Sequence, residues 1–177
     1  MRNTPPRTRR AALLLGFGGA LSGCGFRPVH GPAGTGPGPA AELGAIEVKP
    51  IYERPGQLLR EALMARLRIE PGQPRRYDLQ VSYTITGEAV GQLNFSQVTR
   101  VRATGRAHWD LRARDGKQTK LASGDERIVD GFDLFAAQYF AIDLDNEAMQ
   151  RRIANQLAEK VVLHLAVWFQ QHPSAAG

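Results

Sequence analysis

Two stretches of this chain alternate strictly between apolar and polar residues, and that period of two most narrows what the chain can fold into. Tyr77, Leu79, Val81, Tyr83 and Ile85 fall on one side of an extended backbone, with Asp78, Gln80, Ser82, Thr84 and Thr86 on the other. Val101, Ala103, Gly105, Ala107, Trp109 and Leu111 repeat the pattern opposite Arg100, Arg102, Thr104, Arg106, His108, Asp110 and Arg112. Successive side chains of a strand point to opposite faces, so each run predicts a half-buried strand. Asp115-Gly116 is a hairpin-turn pair, and a third strand over about 119–129 returns from it.

The flanking segments change period. Ile46, Val48 and, after Pro50, Ile51 alternate with Glu47 and Lys49, which predicts a first strand over about 45–52. Leu58, Leu59, Ala62, Leu63 and Leu67 recur at helical spacing over residues 57–68, entered through Pro55-Gly56 and closed before Pro71-Gly72. Met149, Ile153, Leu157, Val161, Leu165 and Trp168 do the same from about Leu144. That helix, of up to about 25 residues, would run roughly 37 Å. Asp143, Asp145 and Glu147 then read as its acidic first turn, with Asp145 or Asn146 as cap. The order β-α-β-β-β-α predicts an α+β domain over residues 44–171, in which a four-stranded, mostly antiparallel sheet carries two helices on one face. Residues 172–177 read as a tail, and 177 residues suffice for one such core.

The N-terminus reads as an address rather than as part of the fold. Arg2, Arg7, Arg9 and Arg10 precede an unbroken apolar run over 11–21, and Leu21-Ser22-Gly23-Cys24 follows at once. A basic start, a short apolar core and small residues before a boundary make a signal peptide over residues 1–23. Eleven apolar residues are too few to cross roughly 30 Å of hydrocarbon. Leu-Ser-Gly-Cys matches the bacterial lipobox, so Cys24 is expected to carry lipid and hold the domain on a membrane. Gly25, rather than Asp, follows the cysteine, which favours outer-membrane delivery. Residues 30–43 are rich in Gly, Pro and Ala, so residues 24–43 read as a lipidated terminus and flexible linker.

Catalytic signals are missing. The lone cysteine excludes an intramolecular disulfide and cysteine-rich metal frameworks. His30, His108, His164 and His172 stand at no metal-ligand spacing, and there is neither a nucleophile elbow nor a P-loop. The expectation is a non-enzyme with no cofactor.

Charge geography remains. Residues 100–120 hold Arg100, Arg102, Arg106, Arg112, Arg114, Lys117 and Lys120 against two acids, while residues 121–150 hold seven acids against Arg127. The strand arginines share one face. Two readings stand open: a solvated face partly neutralised by the acids of the next strand, or an anion-binding face, since arginine forks bind phosphate. In an envelope compartment the abundant polyanion is lipopolysaccharide. Nucleic acid is in the wrong compartment, and the stripe has no aromatic stacking platform.

Four stretches stand in order along the chain: Cys24-Gly25-Phe26-Arg27-Pro28-Val29-His30-Gly31, Gly56-Gln57-Leu58-Leu59-Arg60-Glu61-Ala62-Leu63, Tyr77-Asp78-Leu79-Gln80-Val81, and Tyr139 through Arg151-Arg152-Ile153-Ala154 to Leu157-Ala158. Together they resemble the LptE (RlpB) family of lipopolysaccharide-assembly lipoproteins. One departure is Phe132 to Ile142, more aromatic than the family pattern. The resemblance implies an outer-membrane lipoprotein with two helices on a four-stranded sheet. It also implies that the chain plugs the LptD β-barrel and assists lipopolysaccharide assembly and transport. The partners implied are LptD and lipopolysaccharide, the latter met by the basic face. A lipoprotein subunit of another envelope lipid-transport system is the alternative. Four of the 23 basic residues lie in the signal peptide, so the mature chain would carry 19 against 17 acids. The global basicity is mostly an export label.

Overall fold

A computed structural model describes residues 38–69, 72–93, 97–133 and 139–172. The order is α1 (Pro39–Gly44), β1 (Ile46–Val48), α2 (Glu53–Leu67), β2 (Tyr77–Leu93), β3 (Gln97–Ala113), β4 (Lys120–Asp133) and α3 (Tyr139–Gln171). The signal peptide, Cys24, residues 25–37 and the tail from Pro173 lie outside the described residues.

The four strands form one sheet in chain order. β1 pairs with β2 in parallel, through the α2 crossover, and the two later pairings are antiparallel. The alternating runs give the register directly: Leu79 opposes Leu111, Val81 opposes Trp109 and Ile85 opposes Gly105. All the apolar partners therefore share a face. On that face α2 lies along β1 and β2, and α3 lies along β3 and β4, touching α2. The sheet is mostly antiparallel and the architecture is α+β, as the periods imply.

Burying this face is what holds the elements together. Leu59, Leu63, Leu67, Leu79, Leu111, Ile153, Leu157 and Leu165 are almost wholly excluded from solvent. Each such side chain contributes about 1.5–3 kcal/mol relative to exposure. The helix α3 comes so close to β3 that a Cβ at Gly105 would lie 2.3 Å from Ile153 Cγ2. A glycine in mid-strand, usually a weakness, is what this approach requires.

The strand β1 stops at Val48 rather than reaching residue 52, β4 runs on to Asp133 rather than ending near 129, and three helix boundaries also differ from expectation. Residues 39–43 are helical, not linker: α1 starts at Pro39, favoured at the first helical position, and buries Glu42 and Leu43. The helix α2 begins at Glu53, with Pro55 and Gly56 inside its first turn. Proline is tolerated there because the N–H it lacks would have no intrahelical partner. Gly56 lets the turn close against Ile51, whose Cγ2 would stand 2.7 Å from an added Cβ. Finally, α3 begins at Tyr139, so Asp143, Asp145 and Asn146 lie inside it and cap nothing. No glycine or proline between Tyr139 and Leu144 stops the helix from extending backwards. Instead Asn146 Oδ1 accepts a hydrogen bond from Gln150 Nε2 at 3.4 Å. Although α3 has 33 residues, no helix among the described residues is long and apolar enough to cross a membrane.

Candidate functional site

Helices cover one face of the sheet, and the polar partners of the alternating runs make up the other. Register sorts that open face into seven rows across β2, β3 and β4. They are Asp78–Arg112–Lys120, Gln80–Asp110–Ser123, Ser82–His108–Asp125, Thr84–Arg106–Arg127, Thr86–Thr104–Val129, Glu88–Arg102–Gly131 and Gly91–Arg100–Asp133. Of the β4 acids, Asp125 and Asp133 reach this face, opposite His108 and Arg100, while Glu126 and Asp130 turn to the helix side. Six strand cations face five carboxylates.

Most of the predicted cations have carboxylate partners. Lys120 Nζ stands 2.7 Å from Asp110 Oδ1, and Arg112 Nη2 stands 3.5 Å from Asp110 Oδ2. The Lys120 hydrogen bond, ahead of the charges of His108 and Arg112, holds the Asp110 carboxyl below its ordinary range. Beside the strand end, Arg114 Nε lies 3.2 Å and Lys49 Nζ 3.0 Å from the two oxygens of buried Asp78. Gln118 Nε2 also donates to Asp78 at 3.5 Å. Arg100 meets Asp133 at 3.7 Å. Arg102 faces Glu88 across the β2–β3 pair. Lys117 is exposed in the β3–β4 connection, where Asp115 closes the turn by accepting from the Thr119 N–H at 3.1 Å and its hydroxyl at 2.8 Å.

Arg106 is different. Its β4 neighbour is Arg127, and among the described residues no carboxylate forms an ion pair with either. Arg127 was not among the residues singled out from the sequence, because it sits in an acid-rich segment. Only register shows that it stands next to Arg106. His108 bridges Asp125 at 2.9 Å and Asp110 at 3.4 Å, so the adjoining row is internally matched.

Charges on the helix side serve the fold. Glu42, 1% exposed, accepts from Arg76 Nη2 at 2.5 Å and from the Tyr77 hydroxyl at 2.9 Å. Burial, then that hydrogen bond, pushes the Tyr77 hydroxyl up to about 12. His164 hydrogen-bonds buried Glu126, and Arg152 Nε reaches Asp130 at 2.7 Å. A hollow of about 450 Å³ lies between the entry to α2 and β2. It is lined by Pro50, Tyr52, Val81, Tyr83 and Ile85, with Glu53 as its single carboxylate. Among the described residues no group of three metal-ligating side chains is gathered. The arrangement offers ionic contacts and hydrogen bonds.

A family model for LptE, described as lipopolysaccharide-assembly, matches residues 43–165, well over half of the chain. The chain belongs to the LptE family. No curated protein sequence matches it. Among solved structures it resembles a lipoprotein from Caulobacter crescentus CB15, with TM-score 0.63 and 23% identity, covering 75% of this chain and 96% of that one. It also resembles the rare lipoprotein B of Shewanella oneidensis, with TM-score 0.52 and 11% identity, covering 69% and 92% respectively. At these identities the likeness establishes the shared fold. The family match makes the chain a lipopolysaccharide-assembly lipoprotein of the envelope.

Proposed function

We propose that this family member acts as a non-enzymatic outer-membrane lipoprotein. After removal of residues 1–23 it is anchored by lipid on Cys24, it plugs the lumen of the LptD β-barrel, and it contacts lipopolysaccharide in transit through the open sheet face. The family match over residues 43–165 carries the assembly role. The lipobox carries the anchor. The plug role is supported by the surface: a barrel lumen is polar, and the open face is a lattice of arginines, carboxylates, serines and threonines rather than an apolar patch. Of the predicted lipopolysaccharide-binding residues, Arg100, Arg112, Arg114 and Lys120 already hold carboxylates. A phosphorylated ligand must compete for these four, whereas Arg102, Arg106 and Lys117 have no such ion pair among the described residues.

Affinity capture of the mature lipoprotein from detergent-solubilised outer membranes, with mass spectrometry, tests the reading. Stoichiometric recovery of a large β-barrel is the expected result. Recovery of an inner-membrane transporter instead would replace the reading with a subunit of another lipid-transport system. A Cys24→Ala variant is expected to leave the membrane fraction and to lose the acyl mass from its N-terminal peptide.

A further inference from the structure

Row by row, the open face departs from neutrality by no more than one charge everywhere but at one place. The rows of Asp110 and of Asp125 hold one carboxylate each, bridged by His108, and the Asp78 row carries one positive charge. The Thr86, Glu88 and Gly91 rows are neutral. The Thr84–Arg106–Arg127 row carries two positive charges and no acid. Like charges directly opposite on neighbouring strands destabilise a sheet, and the cost is unnecessary for folding, since any neutral residue at 106 or 127 would remove it. Both arginines are exposed. Their strand-pair geometry sets their Cβ atoms about 5 Å apart. Arg127 is further positioned by Lys160, whose Nζ donates to its carbonyl at 3.2 Å.

We infer that Arg106 and Arg127 form a two-arginine clamp for a phosphate monoester. Two planar forks on adjacent strands can each give a pair of parallel N–H donors to one anion. A phosphate monoester carries a charge near −2 and three acceptor oxygens, which matches two uncompensated guanidinium groups. A carboxylate, with one charge, would leave one of them unmatched. Ser82, Thr84, Arg106, His108, Asp125 and Arg127 line a depression of about 300 Å³ at this point. The Thr84 hydroxyl supplies a further donor from the third strand. The two carboxylates that also line the depression, Asp125 and buried Glu126, are engaged with His108 and His164 respectively.

The identity of the phosphate's carrier, lipopolysaccharide, rests on the function proposed above; the clamp does not. The test titrates the purified mature chain with fluorescent lipopolysaccharide, with enzymatically dephosphorylated lipopolysaccharide, and with inorganic phosphate as competitor. It compares the wild type with R106Q/R127Q and with a control pair, R112Q/K120Q. R106Q/R127Q is expected to weaken lipopolysaccharide binding roughly tenfold or more, as expected for losing charge-assisted bonds to the anion. The control pair should change binding less than about twofold, since its charges are already spent on Asp110. Dephosphorylated lipopolysaccharide should bind wild type and R106Q/R127Q alike. The melting temperature of R106Q/R127Q should stay level or rise, because a repulsion is removed; if it falls, R127Q alone must still show the loss. Equal losses in the two pairs, or unchanged binding in R106Q/R127Q, overturn the clamp. So does loss of the barrel partner with lipopolysaccharide affinity intact, which would make the pair a protein contact. Phosphate binding that needs both arginines, in a chain that ignores lipopolysaccharide, upholds the clamp and overturns the carrier.

Discussion

The helix-covered face and the open face of the same three strands are built from alternate residues of one sequence, yet they handle charge in opposite ways. On the covered face a charge is admitted only with its partners in place, as Glu42 is with Arg76 and Tyr77. On the open face charges are numerous and, apart from Asp78, in contact with solvent, and one row is left with two cations and no acid. Water explains the difference. A buried ion without partners costs several kcal/mol, whereas an exposed pair is worth about 0–1 kcal/mol. Stability therefore dictates the first face and tolerates a wide range of arrangements on the second. An uncompensated pair on a face that could have been neutral is informative for that reason.

That contrast can be broken by substitutions ranked by their expected effect. Leu157→Ala, on the buried side of α3, should cost about 3 kcal/mol and lower the melting temperature by many degrees. A loss below about 1 kcal/mol would mean that the covered face is not what stabilises the fold. Gly105→Val should cost about 2 kcal/mol through overpacking against Ile153, read by urea denaturation. Glu42→Gln should cost about 1–2 kcal/mol, since it weakens hydrogen bonds to a buried carboxylate while Arg76 stays partly solvated. Arg112→Gln on the open face should cost less than about 0.5 kcal/mol. If it costs as much as Glu42→Gln, the two faces do not differ as argued.

A pH series sharpens the same comparison on the open face. The Asp110 carboxyl is held below its ordinary range in the folded chain. Its contribution is therefore present above the unfolded carboxylate value, near 3.9, and is lost as pH falls through the lowered folded value. Between pH 6 and pH 3, Asp110→Asn should lose less stability than the wild type, and parallel curves would remove Asp110 from the account. Arg68, which ends α2 in a left-handed conformation at φ 51, gives a change of the opposite sign, read by the same denaturation. Arg68→Gly should stabilise by up to about 1 kcal/mol.

The sequence disclosed most where one local pattern decided the outcome. Period-two runs placed β2 and β3 and told their faces apart, and the spacing of Met149, Ile153, Leu157 and Leu165 placed the core stripe of α3. It disclosed least where distant residues decide. The helix α1 hid in a Gly- and Pro-rich stretch because what orders it is Glu42 meeting Arg76 and Tyr77, more than thirty positions away. The arginine stripe was visible on β3, but its neutralisation depends on how far β4 slides along β3. The turn and the irregularity at Leu111/Arg112 set that offset. A shift of one residue would have turned Asp125 and Asp133 to the helix side and brought Glu126 and Asp130 out of it. Arg127 could have been found by writing out the hairpin register from Asp115-Gly116, a step that composition alone cannot replace.

The clasp on α1 also sets how far the domain can roam. With Cys24 in the bilayer as proposed, the leash to the folded part runs only over residues 24–38, because Pro39 already belongs to the fold. Even at full stretch such a segment reaches about 50 Å. Any tug along it is delivered to the buried Glu42, Arg76 and Tyr77 rather than to the rim of the sheet. A mooring set there would keep the domain within a fixed radius of its own anchor, close enough to meet a barrel in the same membrane and too short to follow a partner across the periplasm.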